Sequence, residues 1–149
     1  MKVAKNLLAG LGGAIALNLL HETLKKTDRK MPRIDLLGEE ALQKGIELAG
    51  GEKIHDPKTL YVATLGADVL SNALYYSAIG AGSEKNIWFK AIALGLTAGA
   101  GAITLPPLIG LNPAPVTKTT GTKELTVGYY LFGALVTAAI LHTMAAKSK

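Results

Sequence analysis

The stretch AIALGLTAGAGAITLPPLIGL (residues 91–111) contains 21 residues and no charged side chain. A helix needs about 20 apolar residues to cross the roughly 30 Å hydrocarbon core of a bilayer. The stretch meets that length, and Pro106–Pro107 interrupt it near its end. It therefore predicts a membrane-spanning helix that ends at the two prolines, with Thr104 near the carbonyls that they leave without a donor.

Three other segments share this character. LTVGYYLFGALVTAAILHTMAA (125–146) has no charge apart from any proton on His142, and YVATLGADVLSNALYYSAIGAG (61–82) carries only Asp68. A shorter apolar run covers residues 7–24. Helices of a soluble bundle show a charged face opposite an apolar stripe, and these segments have none. We predict one all-α membrane domain over residues 1–149, a four-helix bundle with spans at about 5–24, 60–82, 88–109 and 125–146.

The first apolar run has a second interpretation. Lys2 and Lys5 precede it, and Ala-Ile-Ala at 14–16 resembles the cleavage site of a secretory signal peptide. We interpret the run instead as a retained first span.

The only long polar stretch contains RIDLLGEEALQKGIELAGG (33–51). Its apolar residues recur at helical spacing and its charges occupy the opposite side, which predicts an amphipathic helix at about 35–49. Asp35 is the expected N-cap. Because acidic residues disfavour a purely lipid-bound role, we expect the helix to cap the bundle between spans one and two. The apolar residues expected to be buried there are Leu37, Leu42 and Ile46.

The charge distribution indicates the partners and the orientation. The net charge is +5, and the basic residues bracket the spans, so anionic lipid headgroups are the expected partner. Without a contiguous basic face interleaved with aromatics, no nucleic acid partner is predicted. More basic residues flank the long loop than the other side, which favours a multi-pass protein with a cytoplasmic long loop, in a bacterial inner membrane.

Small residues recur every four positions within the spans. Such patterns allow close helix packing in lipid. The packing is either internal to the four spans or part of an interface with a second copy or another membrane protein, and the sequence leaves both open. The pairs are Ala9/Gly13, Ala91/Gly95/Gly99, Ala98/Ala102 and Ala134/Ala138.

Polar residues of all four spans converge on the long-loop end. A polar stripe follows span two, and Asp68 within it is costly unless it is neutral, paired or hydrated. We expect Asn18 or His21 to donate a hydrogen bond to Asp68, and Asp68 and His21 to titrate as one unit. The predicted one-sided polar vestibule comprises Asn18, His21, Glu22, Asp68, Asn72, Thr104, Glu124 and Tyr129, and the stripe comprises Tyr61, Thr64, Asp68, Ser71 and Tyr75.

Enzyme and metal chemistry are not predicted. In HETLK (21–25) Lys25 stands where the zinc motif has its second histidine, and the chain has no cysteine. No glycine-rich phosphate loop follows a strand. We therefore expect no catalytic residue, no metal and no cofactor.

The segments ITLPPLIGLNPAP and KELTVGYYLFGALV resemble the C-terminal half of the YagU-like bacterial inner-membrane proteins. Tyr129 stands where that group has a histidine. The resemblance implies a compact helical membrane protein and no particular activity. The matching positions are Pro106, Gly110, Leu111, Pro113, Glu124 and Gly128.

Two functions follow from the sequence. The first is binding or conduction of protons, water or a small solute through the vestibule. The second is a structural or accessory subunit that acts through helix–helix or oligomer contacts.

Overall fold

The computed structural model describes residues 2–147, and it confirms the all-α prediction: these residues form helices and no β-strand. Two short 3₁₀ turns, Ala78–Gly80 and Glu84–Asn86, join the third helix to the fourth. The helices are α1 (Lys2–Leu24), α2 (Ile34–Leu48), α3 (Pro57–Ser77), α4 (Ile87–Leu108), α5 (Ala114–Thr117) and α6 (Thr120–Ala146).

Three helices of the described chain are long and apolar enough to cross a membrane: α1, α4 together with the turn before it, and α6. The fourth predicted span, α3, has 21 residues but is not among them. Its polar residues include Asp68 and Asn72, which lower its apolar character.

The helix boundaries follow from local chemistry. Asp56 caps α3 by accepting a hydrogen bond from the Thr59 amide at 2.7 Å, and Pro57 occupies the first helical position. Thr119 caps α6 in the same way through the Thr122 amide at 3.0 Å. Helix α6 therefore begins at Thr120, before its charge-free stretch.

Helix α4 ends at Leu108, just after its two prolines. The apolar run of residues 91–111 therefore continues beyond the end of the helix, as predicted. Gly110 has φ of 75°, a conformation that favours glycine, and the Leu111 amide closes the turn on the Pro106 carbonyl at 2.8 Å. The expected role of Thr104 is wrong. Its hydroxyl donates to the Ala100 carbonyl at 2.9 Å, whereas the prolines leave the carbonyls of residues 102 and 103 without donors.

The long helices pack in the order α3, α1, α6, α4, each against the next. Between α3 and α4 an open groove of about 470 Å³ remains, bridged where the Tyr75 hydroxyl donates to the Leu94 carbonyl at 2.9 Å. The closest approaches involve glycines: a Cβ on Gly10 would overlap the Ala73 carbonyl, and one on Gly99 would overlap the Val127 backbone.

The small-residue pairs divide between two environments. Three of the four sets are buried between helices, which supports internal packing. Ala98 and Ala102 are only half-buried and line the groove.

Helix α2 lies against α3 and α5 at the long-loop end. The Lys44 ammonium donates to the Ile109 carbonyl at 2.5 Å, and Glu40 accepts a hydrogen bond from the Asn112 amide at 3.1 Å. Leu37 is buried as expected, but Leu42 and Ile46 are only half-buried, because neither joins the buried apolar cluster to which Leu37 belongs.

The N-cap prediction for α2 is wrong. Arg33 occupies the N-cap position without a side-chain cap, and Asp35 lies in the first turn of the helix. Its carboxylate turns towards α1 and Arg33 instead of the backbone amides of its own helix.

Candidate polar site

A polar cavity of about 20 Å³ lies between α1, α2 and α3 at the long-loop end. A space of this size holds about one water molecule. Its polar lining comes from all three helices and comprises Asn18, His21, Glu22, Asp35, Tyr61, Thr64 and Asp68. Together with Lys25 and Arg33, these residues are the polar cluster.

Asp68 is held by two amides. Asn18 of α1 donates to one carboxylate oxygen at 2.9 Å, and Asn72, one turn along α3, donates to the other at 3.0 Å. The second Asn18 bond goes to the Ala14 carbonyl at 3.0 Å, which fixes the orientation of its amide. The expected hydrogen bond from Asn18 to Asp68 is therefore present.

His21 lies between two other carboxylates. Its Nδ1 is 3.4 Å from Glu22 Oε1, its Nε2 is 3.4 Å from Asp35 Oδ1, and its side chain is only 3% exposed. The Nε2–Oδ1 separation suits an ion pair, yet within residues 2–147 the Nε2 atom makes no hydrogen bond. The ring packs edge-on against Tyr129, with centroids 6.3 Å apart. His21 thus reaches the cavity with one nitrogen still able to bond.

Two cations complete the cluster. Lys25 contacts Glu22 at 2.7 Å and Asp35 at 3.5 Å, and it donates to the Tyr61 hydroxyl at 3.2 Å. The Arg33 guanidinium donates two parallel hydrogen bonds, of 2.9 and 2.7 Å, to the Asp35 carboxylate, and this bidentate geometry is the strongest for such a pair. The contact between Lys25 and Asp35 ties the start of α2 to the end of α1, and the bonds from Arg33 hold the Asp35 carboxylate in place.

The cations fix the charge of Asp35. Burial alone would raise its pKa, but the close contact with His21 and the hydrogen bonds and charge of Arg33 outweigh burial and hold the pKa well below its usual range. Burial lowers the pKa of Lys25, while its contacts with Glu22 and Tyr61 outweigh that effect and raise it. The hydrogen bonds to Asp35 raise the pKa of Arg33. All three groups therefore carry full charge near neutral pH.

Thr64 adds a second atom with unused bonding capacity. The residue is 5% exposed and lines the cavity, and among the described residues its Oγ1 has no hydrogen-bond partner. A buried hydroxyl without a partner costs about 1–3 kcal/mol. Thr64 and His21 thus line the same small space, and each has one buried polar atom without a hydrogen bond, with His21 Nε2 3.4 Å from Asp35 Oδ1.

The structure brings together part of the predicted vestibule. Asn18, His21, Glu22 and Asp68 line the cavity; Asn72 supports Asp68, and Tyr129 packs on His21. Thr104 is exposed and bonds to its own helix, and Glu124 is exposed near the start of α6. Neither residue lines the cavity.

Sequence reasoning left five members out of the site. Tyr61 and Thr64 belonged to the predicted polar stripe of α3, and the structure places them in the wall of the cavity. Ser71 and Tyr75, further along the same stripe, line the groove between α3 and α4 instead. Lys25 follows Asn18 by seven residues, so helical spacing could have found it. Arg33 and Asp35 reach the site only because α2 folds back towards α1 and α3, and no local sequence pattern predicts that arrangement.

The charges of the polar cluster do not balance. Three carboxylates, Glu22, Asp35 and Asp68, face two permanent cations, so one negative charge remains when His21 is neutral. One proton bound to the cluster would neutralise it. Among residues 2–147, no group of three or more His, Asp or Glu side chains is arranged to hold a metal ion.

A buried apolar core lies further along the long helices. Leu17, Ala73, Tyr76, Ile79 and Leu141 belong to a continuous buried core beyond the cavity. The Tyr76 hydroxyl within this core is satisfied by the Tyr130 carbonyl at 2.8 Å.

Comparisons of the chain with family models, with curated proteins and with solved structures find no match.

Proposed function

We propose that this chain is a four-span membrane protein that binds a proton or a polar solute no larger than water in the cavity, and that the ligand enters from the long-loop side. The observation that carries the proposal is the polar cluster, with its unbalanced charge and its two atoms free to bond at one cavity. Each of these features raises the affinity of the site for a positive charge or a hydrogen-bonding ligand.

The membrane location rests on three long apolar helices and on what their surfaces expose. Leu8, Leu19 and Phe89 are large apolar residues, and more than half of each side chain is exposed. Exposed apolar patches of this extent fit a lipid environment better than water. The helices satisfy their own backbone groups, as a spanning segment must, except for the two carbonyls of α4 that Pro106 and Pro107 leave without donors.

Helix α3 is the proposed fourth span. Its polar residues Thr64 and Asn72 are buried towards α1, whereas Leu70 and Leu74 are exposed on the outside. A helix of this kind can have low average apolarity and still present an apolar face to lipid.

The long loop is proposed to be cytoplasmic, in a bacterial inner membrane, because basic residues are more numerous on its side. Anionic headgroups are the proposed partners of these residues. The resemblance to the YagU-like proteins supports the same location. A role without catalysis is part of the proposal.

Binding is favoured over conduction by the apolar core beyond the cavity, since a conducting path needs polar groups or water on both sides of Asp68. We therefore expect proton uptake without proton flux. In liposomes, the protein should pass no more protons than empty vesicles at any pH.

The test is proton uptake by the purified protein in nanodiscs, measured with a pH indicator after a pH jump. We expect close to one proton per chain in the wild type and a clear loss in Asp68→Asn, which keeps the shape and removes the titration. Glu124→Gln, a change at an exposed carboxylate outside the cavity, is the matched control and should behave as the wild type. Wild-type protein that takes up no proton between about pH 5 and 8 would refute the proposal.

A structural or accessory subunit is the second candidate. The contacts of Asp35 with His21 and Lys25 favour it, because they fasten the start of α2 to the end of α1 regardless of any ligand. The half-buried Ala98 and Ala102 in the groove are the proposed contact for a second copy or another membrane protein. This candidate predicts that Asp68→Asn leaves proton uptake unchanged.

A further inference from the structure

We infer that the cavity binds a single water molecule, which relays a proton between His21 Nε2 and the Asp68 carboxylate. This inference rests on the proposed function and specifies its ligand. It differs from binding of a larger solute or of a metal ion, and it assigns a role to Thr64.

The first argument is size. A cavity of about 20 Å³ exceeds the 10–15 Å³ that one water molecule requires and leaves no space for an organic solute. The ligand is therefore water-sized.

The second argument is the set of partners. Thr64 Oγ1 and His21 Nε2 are buried, line the cavity and lack a hydrogen bond to the described chain. Asp68 also lines the cavity, and each of its oxygens can accept a second hydrogen bond beyond the one from Asn18 or Asn72. A water molecule there would have three partners, the usual number for buried water.

The third argument separates water from a cation. An imidazole N–H donates a hydrogen bond and would repel a cation, and alkali and alkaline-earth ions prefer oxygen ligands. The described residues also lack a cluster suited to a metal ion. Water accepts from the N–H, donates to the carboxylate and accepts or donates at the threonine hydroxyl.

The proton step balances. The imidazolium form of His21 gives its Nε2 proton to the water oxygen while the water gives one of its own to the Asp68 carboxylate. The water is thereby regenerated, His21 is left neutral with its remaining proton on Nδ1, 3.4 Å from Glu22 Oε1, and Asp68 becomes neutral. The charges and dipoles around this step come from every helix packed on it. They are Glu22 and Lys25 of α1, Arg33 and Asp35 at the start of α2, Tyr61 of α3, and Tyr129 and Tyr130 of α6.

Two substitutions of Thr64 test the inference. Thr64→Val keeps the shape and removes the hydroxyl, whereas Thr64→Ser keeps the hydroxyl and is the matched control. The readout is the pH-difference infrared spectrum of the protein in nanodiscs, recorded in H₂¹⁶O and in H₂¹⁸O. A buried water that changes its bonding on proton uptake gives an O–H band that shifts with the oxygen isotope.

We expect this isotope-sensitive band in the wild type and in Thr64→Ser, and its loss in Thr64→Val. Proton uptake in Thr64→Val should slow at least tenfold, and its melting temperature should stay close to that of Thr64→Ser. Normal uptake without the isotope-sensitive band would overturn the relay and leave the proposed function standing. A band that survives in Thr64→Val would also overturn it. Absence of any proton uptake by the wild type would instead remove the proposed function itself.

Discussion

Two buried carboxylates of the polar cluster are stabilised in different ways. Asp68 accepts hydrogen bonds from the neutral amides of Asn18 and Asn72, whereas Asp35 is paired with Arg33 and Lys25. Neutral donors compensate only part of the cost of burying a charge, while cations compensate more of it. The uptake of a proton is therefore expected at Asp68, and Asp35 should remain charged.

Asp35→Asn is predicted to destabilise the protein by about 2 kcal/mol near neutral pH, since a hydrogen bond between charged groups contributes roughly that much. The depressed pKa of Asp35 makes its stabilisation complete above its ordinary value of 3.8 and progressively lost as the pH falls below it. The difference in melting temperature between variant and wild type should thus be large near pH 7 and shrink below about pH 4.

Thermal unfolding in detergent at several pH values is the measurement. Glu52→Gln, at an exposed loop carboxylate, is the control and should melt with the wild type throughout. A destabilisation by Asp35→Asn that is the same at pH 7 and pH 3 would contradict the ion-pair explanation.

At the residue scale, the sequence predicted side-chain contacts correctly where both residues lie in long apolar helices that pack against each other. The contact between Asn18 and Asp68 followed from their equal depth in antiparallel helices. The contact between His21 and Asp35 could not be predicted in this way. Asp35 lies after the turn that follows α1, and residue spacing does not show in which direction that turn leads the chain. Asp35 also looked like a cap, since acidic residues near a helix start usually are.

At the element scale, small residues set how closely the helices approach. Gly10→Ala is predicted to destabilise by about 1–3 kcal/mol, because the added methyl group would overlap the Ala73 carbonyl and the Ser77 amide of α3. Those backbone atoms cannot move without shifting α3 as a whole. The expected result is a lower melting temperature and a changed cavity, since α1 and α3 form two of its walls.

Gly66→Ala is the matched control for this prediction. Gly66 lies in α3 with no atom within 4 Å of the added Cβ, so alanine should be neutral or stabilise the helix by up to about 1 kcal/mol. Equal melting of the two variants would show that close packing of α1 on α3 contributes nothing to stability.

The long helices could be predicted because the length of an apolar run and the residues that cap a helix are both local features of the sequence. The small-residue spacing likewise predicted close contacts, and three of its four sets are buried. The spacing could not show which helix packs against each small-residue face. Ala98 and Ala102 have the same spacing as the buried sets but lie at the groove between α3 and α4. Neighbours depend on the packing order of the helices, which the spacing within one helix does not contain.

At the scale of the whole molecule, a polar end and an apolar end are joined by the same four long helices. The polar end holds α2, α5 and the cavity, and the apolar end holds the larger core. This division was predictable from where polar residues interrupt the apolar runs. The shape of the site was not, because Arg33 and Asp35 arrive from a helix outside those runs.

The last prediction tests the proposed membrane topology. The sequence contains no cysteine, so each single-cysteine variant reports one position. Glu52→Cys lies in the long loop and Ala81→Cys in the turn after α3, and both positions are exposed. If α3 spans the bilayer, a membrane-impermeant maleimide should label the two cysteines from opposite sides of oriented vesicles.

Leu70→Cys completes the test, because Leu70 lies on the outer face of α3 and is 62% exposed in the protein alone. In intact vesicles the surrounding lipid should keep the reagent away from it on both sides, and detergent should restore labelling. Labelling of Leu70→Cys without detergent, or labelling of Glu52→Cys and Ala81→Cys from the same side, would place α3 outside the bilayer. The polar cluster would then lie outside the hydrocarbon core, and the cost that lipid adds to an ionised Asp68 could no longer explain a proton at this site.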